Sequence, residues 1–311
     1  TWADAGDPAF LSAAMTRDGQ YVLCGLSRDG GIAFEVPLPA RGHAAAAHPT
    51  MPEAVAFARR PGTYAIVLDC RNGDVKARLE TPVGRHFYGH GAFSADGELL
   101  ITTENDYEAA AGVVGIWDVR NSYTRIGEFS SGGVGPHDIK RLPGGQSLVV
   151  ANGGIETHPE AGRAKLNLPT MRSNLSYLTL DGVIEAQVEL AREHQRNSIR
   201  HLAVSKAGAV AFAMQWQGDL TNDLALLGLH ERGAQRLAVY DEASVRQLNG
   251  YLGSVAFDDV TERIATTSPR SGVLQVFGKD GLVEAAKLAD VCGVASERGG
   301  FFVTAGTGLI R

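Results

Sequence analysis

Four histidines recur at one place in a repeated stretch of the sequence. His90 stands seven residues before Gly97, the glycine of a predicted hairpin turn. His137 and His201 keep the same offset from a turn glycine, and His43 occupies the corresponding place in its own stretch. Imidazole is a good ligand for iron, copper, nickel and zinc. The recurrence therefore favours a transition-metal site, provided that the fold brings these side chains together.

The stretches that carry the histidines have the pattern of short antiparallel strands. In one of them "GAFSA", "ELLITTE", "VVGIWDV" and "RIGEFSS" are predicted strands, and the first two are joined by Asp96-Gly97, a favoured tight-turn pair. Four antiparallel strands in one repeat are typical of a β-propeller blade. Repeats begin at Leu11, His43, Gly89, His137, His201, Gly253 and Cys292.

This repetition predicts an all-β fold: a seven-bladed β-propeller of four-stranded antiparallel blades, with residues 1–311 forming a single domain. The last repeat is short of strands, so the two termini are expected to complete one blade jointly. The pattern alone is also compatible with six or eight blades. No long amphipathic helix is evident, which argues against an α/β fold.

In a propeller the first strand of each blade lines the central channel, so the four histidines are expected to converge at one channel mouth. Glu104 is predicted to lie beside them and to add negative charge to the metal site. Because a channel is wide, His90, His137 and His201 together are a more plausible ligand set than all four. Blade positions without a histidine correspond to Ser12, Ser254 and Gly293.

The same mouth is expected to carry further polar residues that line a pocket. A long polar insertion, residues 152–178, is predicted to fold over it and to bring His158 close; alternatively, the insertion packs on a neighbouring blade. The pocket could instead hold a small anion, with Arg200 and Arg270 as its partners, or the histidines could be structural. The predicted pocket residues are Asn105, Asn152, His158, Arg200, Gln215, Arg270 and Cys292.

Composition and motifs exclude several functional classes. The net charge is −6 without a basic cluster, which argues against nucleic-acid binding. No apolar stretch is long enough to predict a transmembrane helix. The signatures G-x-S-x-G, H-E-x-x-H and the P-loop are missing, so no catalytic residue is assigned.

Several segments together resemble a bacterial family of proteins, domain-of-unknown-function family 1513. The most specific is "GVGPHDIKRLPGGQSLVVANGGIETHPEAGRAKLNLPTM"; "GHGAFSADGELLITTENDYEAAAGVVGIWDV", "NSIRHLAVS" and "TSPRSG" add to it. The resemblance implies a periplasmic propeller, exported by a signal peptide that the sequence as given does not include. His90, His137, His158 and His201 match motif positions of the family, whereas His43 lies outside the segments that carry the resemblance.

The resemblance also implies a biological setting. Family members are encoded beside imelysin-like proteins and a di-haem thiol-oxidoreductase-like protein, which implies partners in that system and a role in periplasmic iron or other metal acquisition. The leading hypothesis is a non-enzymatic binding protein that holds iron, copper or zinc, or a metal complex. One alternative is a metal-dependent oxidoreductase or hydrolase with Glu104 as the ionisable group. Another is a protein-protein interaction scaffold.

Overall fold

The computed structural model describes residues 1–59 and 64–310, and nearly all regular structure in them is β-strand. Helical structure in this part of the chain is limited to three short 3-10 turns, Trp2–Ala5, Pro159–Ala161 and Arg192–His194. Across the described residues, no helix has the length and apolar character needed to span a membrane.

The strands fall into consecutive groups along the chain, and within each group neighbouring strands are antiparallel. The first group is β1 (Phe10–Met15), β2 (Tyr21–Leu26) and β3 (Ile32–Leu38); the second is β4 (Gly42–Ala47), β5 (Glu53–Ala58), β6 (Tyr64–Asp69) and β7 (Val75–Glu80); the third is β8 (Arg85–Phe93), β9 (Leu99–Asp106), β10 (Ala111–Asp118) and β11 (Thr124–Ser130).

The remaining groups follow the same plan. The fourth is β12 (Pro136–Arg141), β13 (Ser147–Asn152), β14 (Asn174–Thr179) and β15 (Ile184–Glu189); the fifth is β16 (Asn197–Val204), β17 (Val210–Trp216), β18 (Ala225–His230) and β19 (Ala238–Ser244); the sixth is β20 (Ser254–Asp258), β21 (Arg263–Ser268), β22 (Val273–Gly278) and β23 (Gly281–Lys287); β24 (Val291–Glu297) and β25 (Gly300–Ala305) form a terminal hairpin.

The predicted all-β fold with four-stranded antiparallel blades is confirmed, but the prediction of seven such blades is wrong. In the described residues six groups have three or four strands, and the seventh repeat is only a two-stranded hairpin. The repeat pattern identified the strand pairs "CGVASE" and "GFFVTA" correctly. The repeat pattern predicted a seventh blade there because it recognises hairpins. A complete blade also needs its outer strands.

The chain divides into two compact units. The first contains residues 1–131, 135–141 and 157–164, and the second contains residues 132–134, 142–156 and 165–311. In the first unit the apolar interior is built from the middle strands of the groups, around Leu23, Phe57 and Leu100; in the second, Tyr177, Phe212 and Phe277 are fully buried. The expectation of a single domain over residues 1–311 stays a prediction.

Candidate metal centre

The repeated histidine position coincides with an irregularity in the first strand of several groups. The pairing register shifts between Gly42 and Ala45 in β4, and between Phe87 and Gly91 in β8. In β16 it shifts between Ile199 and His201. These irregularities add one residue to β4 and to β16 and two residues to β8, and such a bulge changes the direction of a side chain without unpairing the rest of the strand. The bulges therefore set the side-chain directions of His43 and His90.

Three of the predicted ligands, His43, His90 and His137, form one cluster in the first unit. Each offers one ring nitrogen, and the three nitrogens lie within 4.8 Å of one another. The ring centroids are 4.9 Å apart for His43 and His90, 5.3 Å for His43 and His137, and 5.1 Å for His90 and His137. His90 and His137 are buried and His43 is half-buried. We call these three residues the histidine cluster.

A buried carboxylate holds one ring of the histidine cluster. The Nδ1 atom of His90 lies 3.0 Å from Oδ1 of Asp138, which is only 2% exposed. The Ile139 amide donates to the same oxygen at 2.8 Å, and Nζ of Lys140 is 3.2 Å away. A carboxylate beside Nδ1 favours the tautomer that carries its proton there, so that Nε2 is the ring nitrogen with the lone pair. Asp138 therefore fixes the orientation of the His90 ring.

The glycines that flank His90 make the cluster sterically possible. Gly89 has φ +105°, and a Cβ atom at this position would lie 2.3 Å from Cδ2 of His43. At Gly91 a Cβ atom would lie 2.6 Å from the ring of Phe57. The motif "GHG" therefore places a histidine between two residues without side chains, so that His43 can approach the β8 backbone closely.

The chemistry of this cluster fits a transition metal. Imidazole nitrogens bind zinc at about 2.0–2.1 Å, so ligands in a tetrahedral site lie about 3.3 Å apart. The nitrogens of the histidine cluster need to approach by about 1.5 Å at most to reach that spacing. Small rotations of the imidazole rings can provide this movement.

Glu104 lies apart from this arrangement. Its carboxylate accepts from Nη1 and Nη2 of Arg125 at 2.7 and 3.1 Å, and from the Thr102 hydroxyl at 3.0 Å. It is fully buried, and burial raises its pKa while Arg125 opposes the shift. The same guanidinium also pairs with Glu128. These hydrogen bonds bind the Glu104 oxygens inside the β8–β11 sheet, and the expectation that Glu104 adds charge to a metal site stays a prediction.

Two predicted pocket residues of the first unit pack against the insertion. The Asn105 amide donates to the carbonyl of Thr157 at 3.2 Å, and its nitrogen lies 3.3 Å from Nε2 of His86. The ring of His158 packs edge-on against Tyr107 at 5.1 Å, and its Nε2 atom is 3.6 Å from the Glu108 carboxylate. This part of the insertion packs on the turn between β9 and β10, which agrees with the alternative of packing on a neighbouring blade.

The other predicted site residues lie in the second unit. His201 and Arg200 are half-buried in β16. The amide of Asn152, which is fully buried, donates to Asn174 at 2.9 Å and Ser176 at 3.1 Å, a structural role inside a sheet. The remaining three are exposed or half-buried at strand ends and turns: Gln215 in β17, Arg270 after β21 and Cys292 in β24.

The sequence argument missed Asp138, although a signal for it was present. It directly follows His137 in "PHDIK". A carboxylate within one residue of a candidate ligand was a reason to consider the metal-orienting role that such groups often have.

Comparisons with known proteins agree with the fold and identify the family. A search of curated proteins found no match. Hydrazine synthase of Kuenenia stuttgartiensis is a similar solved structure, with a TM-score of 0.68 and 12% sequence identity over 95% of this chain and 92% of that chain. At this identity the likeness shows the fold alone, an all-β propeller. The family model described as "Protein of unknown function (DUF1513)" matches residues 36–311, and the chain therefore belongs to the DUF1513 family.

Proposed function

We propose that this protein binds one transition-metal ion through His43, His90 and His137 and acts as a binding protein. The observation that carries the proposal is the approach of three imidazole nitrogens to within 4.8 Å of one another. Three rings from three different strands meet there, so the cluster depends on the tertiary fold and not on neighbours in the sequence.

The surroundings support a ligand role for these rings. Metal-bound histidines commonly donate their second N–H group to a carboxylate, and Asp138 stands in that position beside His90. The buried negative charge of Asp138 also offsets part of the positive charge of an ion. Lys140 and the Ile139 amide hold the carboxylate in place, so the arrangement is organised before the metal arrives.

The donor set narrows the class of metal. Neutral nitrogen donors suit Zn(II), Cu(II), Ni(II) and Fe(II), and they disfavour Ca(II) and Mg(II), which require oxygen ligands. None of the three cysteines belongs to the histidine cluster, so soft thiolate coordination is not part of the proposal.

We further propose that binding takes place in the periplasm, in iron or other metal acquisition, together with imelysin-like and di-haem partner proteins. This part rests on the family resemblance in the sequence. A binding role is preferred to catalysis because Glu104, the carboxylate assigned to an enzyme, is paired with Arg125 inside a sheet.

The test is calorimetric titration of the chelator-treated protein with Zn(II), Cu(II) and Fe(II). We expect one ion per chain with sub-micromolar affinity for at least one metal, and loss of that binding in a His90→Ala/His137→Ala variant. His158→Ala is the matched control, because this histidine lies in the same unit but outside the cluster. It should bind like the parent protein.

Thermal melting of each variant shows whether it is folded. Where the double variant unfolds, His43→Gln is the second test, because His43 is half-buried and its replacement is milder. Failure of every metal to bind the parent protein would overturn the proposal, as would full retention of affinity in folded cluster variants.

A further inference from the structure

A cavity of about 460 Å³ lies in the first unit, among three hairpin turns. The turns join β4 to β5, β8 to β9 and β10 to β11, and Lys76 of β7 completes the lining. This volume falls in the range of small-ligand sites, which is about 300–1,000 Å³. We call this space the turn cavity. Its described lining includes no residue of the histidine cluster, so binding there does not depend on the proposed metal site.

Glu53 is the most buried charged residue of the turn cavity. It is only 4% exposed, and both of its carboxylate oxygens are bonded. Lys76 pairs with Oε1, and the Tyr123 hydroxyl donates to Oε2 at 2.8 Å. Burial, together with the Glu53 carboxylate, raises the pKa of Tyr123, so the phenol keeps its proton and remains a donor. A carboxylate and an ammonium group therefore lie side by side in the cavity.

Tyr123 reaches Glu53 from a strained turn. Ser122 and Tyr123 have φ of 52° and 58°, and the Thr124 amide donates to the carbonyl of Asn121 at 3.0 Å. Two left-handed residues in succession usually require glycine, asparagine or aspartate. A bulky residue in this conformation is costly, and such strain is concentrated at ligand clamps and active sites. The turn thus holds an aromatic ring at the cavity at a cost in backbone energy.

The wall formed by two of the turns is held by His48. Its Nδ1 atom accepts from the amides of Thr50 and Met51 at 3.1 and 2.9 Å, so Nε2 carries the proton and donates to the carbonyl of Gly97 at 3.1 Å. Burial lowers the pKa of His48, which favours this neutral form. The imidazole joins the β4–β5 turn to the β8–β9 turn, and a site organised in advance loses less free energy on binding.

The charges around the turn cavity are compensated within the protein. Glu53 is paired with Lys76. Glu98 is paired with Arg120, and the Glu98 amide donates to Asp96 at 2.9 Å inside the same turn. An anionic ligand has to compete with these carboxylates, and a cationic ligand has to displace Lys76 or Arg120. Hydroxyl groups can instead donate to a carboxylate and accept from a cation while both ion pairs stay intact.

We propose that the turn cavity binds a neutral sugar, a mono- or disaccharide. The sugar hydroxyls bind the two ion pairs, and the apolar face of the sugar ring packs on Met51, Val119 and the ring of Tyr123, which line the same cavity. A few placed polar groups beside an apolar wall are typical of small-molecule sites. This assignment gives the strained Tyr123 a part in binding.

Calorimetric titration with glucose, galactose, maltose and sucrose, each at millimolar concentration, tests this assignment. We expect at least one of them to bind, with an affinity that sodium chloride leaves unchanged, because salt screens attraction between charges and the ligand has none. Glu98→Gln and Lys76→Met should each weaken the binding about tenfold, which matches the loss of one charge-assisted hydrogen bond.

Glu80→Gln is the matched control, because Glu80 is an exposed glutamate of the same unit outside the turn cavity. It should keep the parent affinity, as should the His90→Ala/His137→Ala variant. Thermal melting shows whether Lys76→Met, which leaves Glu53 without its cation, is folded. Where it unfolds, Glu98→Gln is the test, because the Glu98 side chain is 41% exposed.

Three results would overturn the assignment. The first is that none of the four sugars binds. The second is that Glu98→Gln keeps the parent affinity or that Glu80→Gln loses as much. The third is that glucuronate or glucosamine binds in place of the neutral sugars, which would indicate a charged ligand.

Discussion

Two buried carboxylates of the first unit, Glu104 and Asp138, interact with different kinds of partner. Both are almost completely excluded from solvent. Glu104 is paired with Arg125 and bound by Thr102, within the β8–β11 sheet. Asp138 contacts the imidazole of His90. One carboxylate stabilises a sheet, whereas the other orients a candidate metal ligand.

The alternation of side chains along a strand explains the difference. Thr102 and Glu104 in β9 point to one face, where Thr102 also accepts from the indole N–H of Trp117 at 3.0 Å. Thr103 and Asn105 point to the other face, where the Thr103 hydroxyl donates to the carbonyl of His90 at 3.1 Å. The prediction that Glu104 and Asn105 lie on one surface did not take into account that successive side chains of a strand point to opposite faces.

The largest expected effect is a loss of stability in the Glu104→Gln variant. The change leaves the half-buried Arg125 guanidinium with Glu128 as its remaining counter-charge and removes the buried charge that it faces, and we expect the free energy of unfolding to fall by about 3 kcal/mol. Metal affinity should stay at the parent value. Urea denaturation and metal titration measure the two quantities. Glu98→Gln, which breaks an exposed ion pair with Arg120, is the control and should have little effect on either.

A Glu104→Gln protein that stays stable but no longer binds metal would contradict the expectation that only Asp138 supports metal binding. Glu104 would then act on the metal site, and the contrast with Asp138 would fail.

Gly89→Ala should lower both stability and metal affinity. The new Cβ atom meets the His43 ring at 2.3 Å in a backbone conformation with φ +105°, so we expect a loss of about 2 kcal/mol in unfolding free energy. We expect metal affinity to fall at least roughly tenfold, because His43 must move. Gly144→Ala is the control: φ is +86° there and a Cβ atom meets nothing within 4 Å. It should cost about 1 kcal/mol and leave metal binding intact.

If both glycine variants lost metal affinity equally, the effect would come from general destabilisation. The close packing of His43 on Gly89 would then have no special part in the metal site.

The smallest effect is expected for Asp138→Asn, which should change metal affinity more than the free energy of unfolding. The amide keeps the size of the carboxylate but removes its charge, so we expect metal affinity to fall about tenfold. Asp74→Asn, an exposed change in the same unit, is the control and should not alter affinity. Calorimetry measures both. Unchanged affinity in Asp138→Asn would show that this aspartate, like Glu104, is purely structural.

The sequence was sufficient for the strand repeats and for the recurrence of histidine at one blade position, because turn glycines and apolar alternation report local structure. It was not sufficient for the grouping: His90, His137 and His201 were preferred, whereas His43 lies with His90 and His137 in the histidine cluster. Nor did it reveal the partner of Glu104, because the Arg125 side chain reaches it from a strand two positions away in the sheet. Such contacts depend on register, which the spacing of motifs does not determine.

The bulges in β4, β8 and β16 have a consequence for how this protein can diverge. A bulged residue is exempt from the alternation that commits its neighbours to the core or to the surface. Its side chain can therefore change without repacking the sheet, as the glycine and cysteine at the β24 bulge illustrate. Under the proposed function, relatives can acquire or lose a metal ligand at this position in single steps, so that their metal preference evolves separately from their stability.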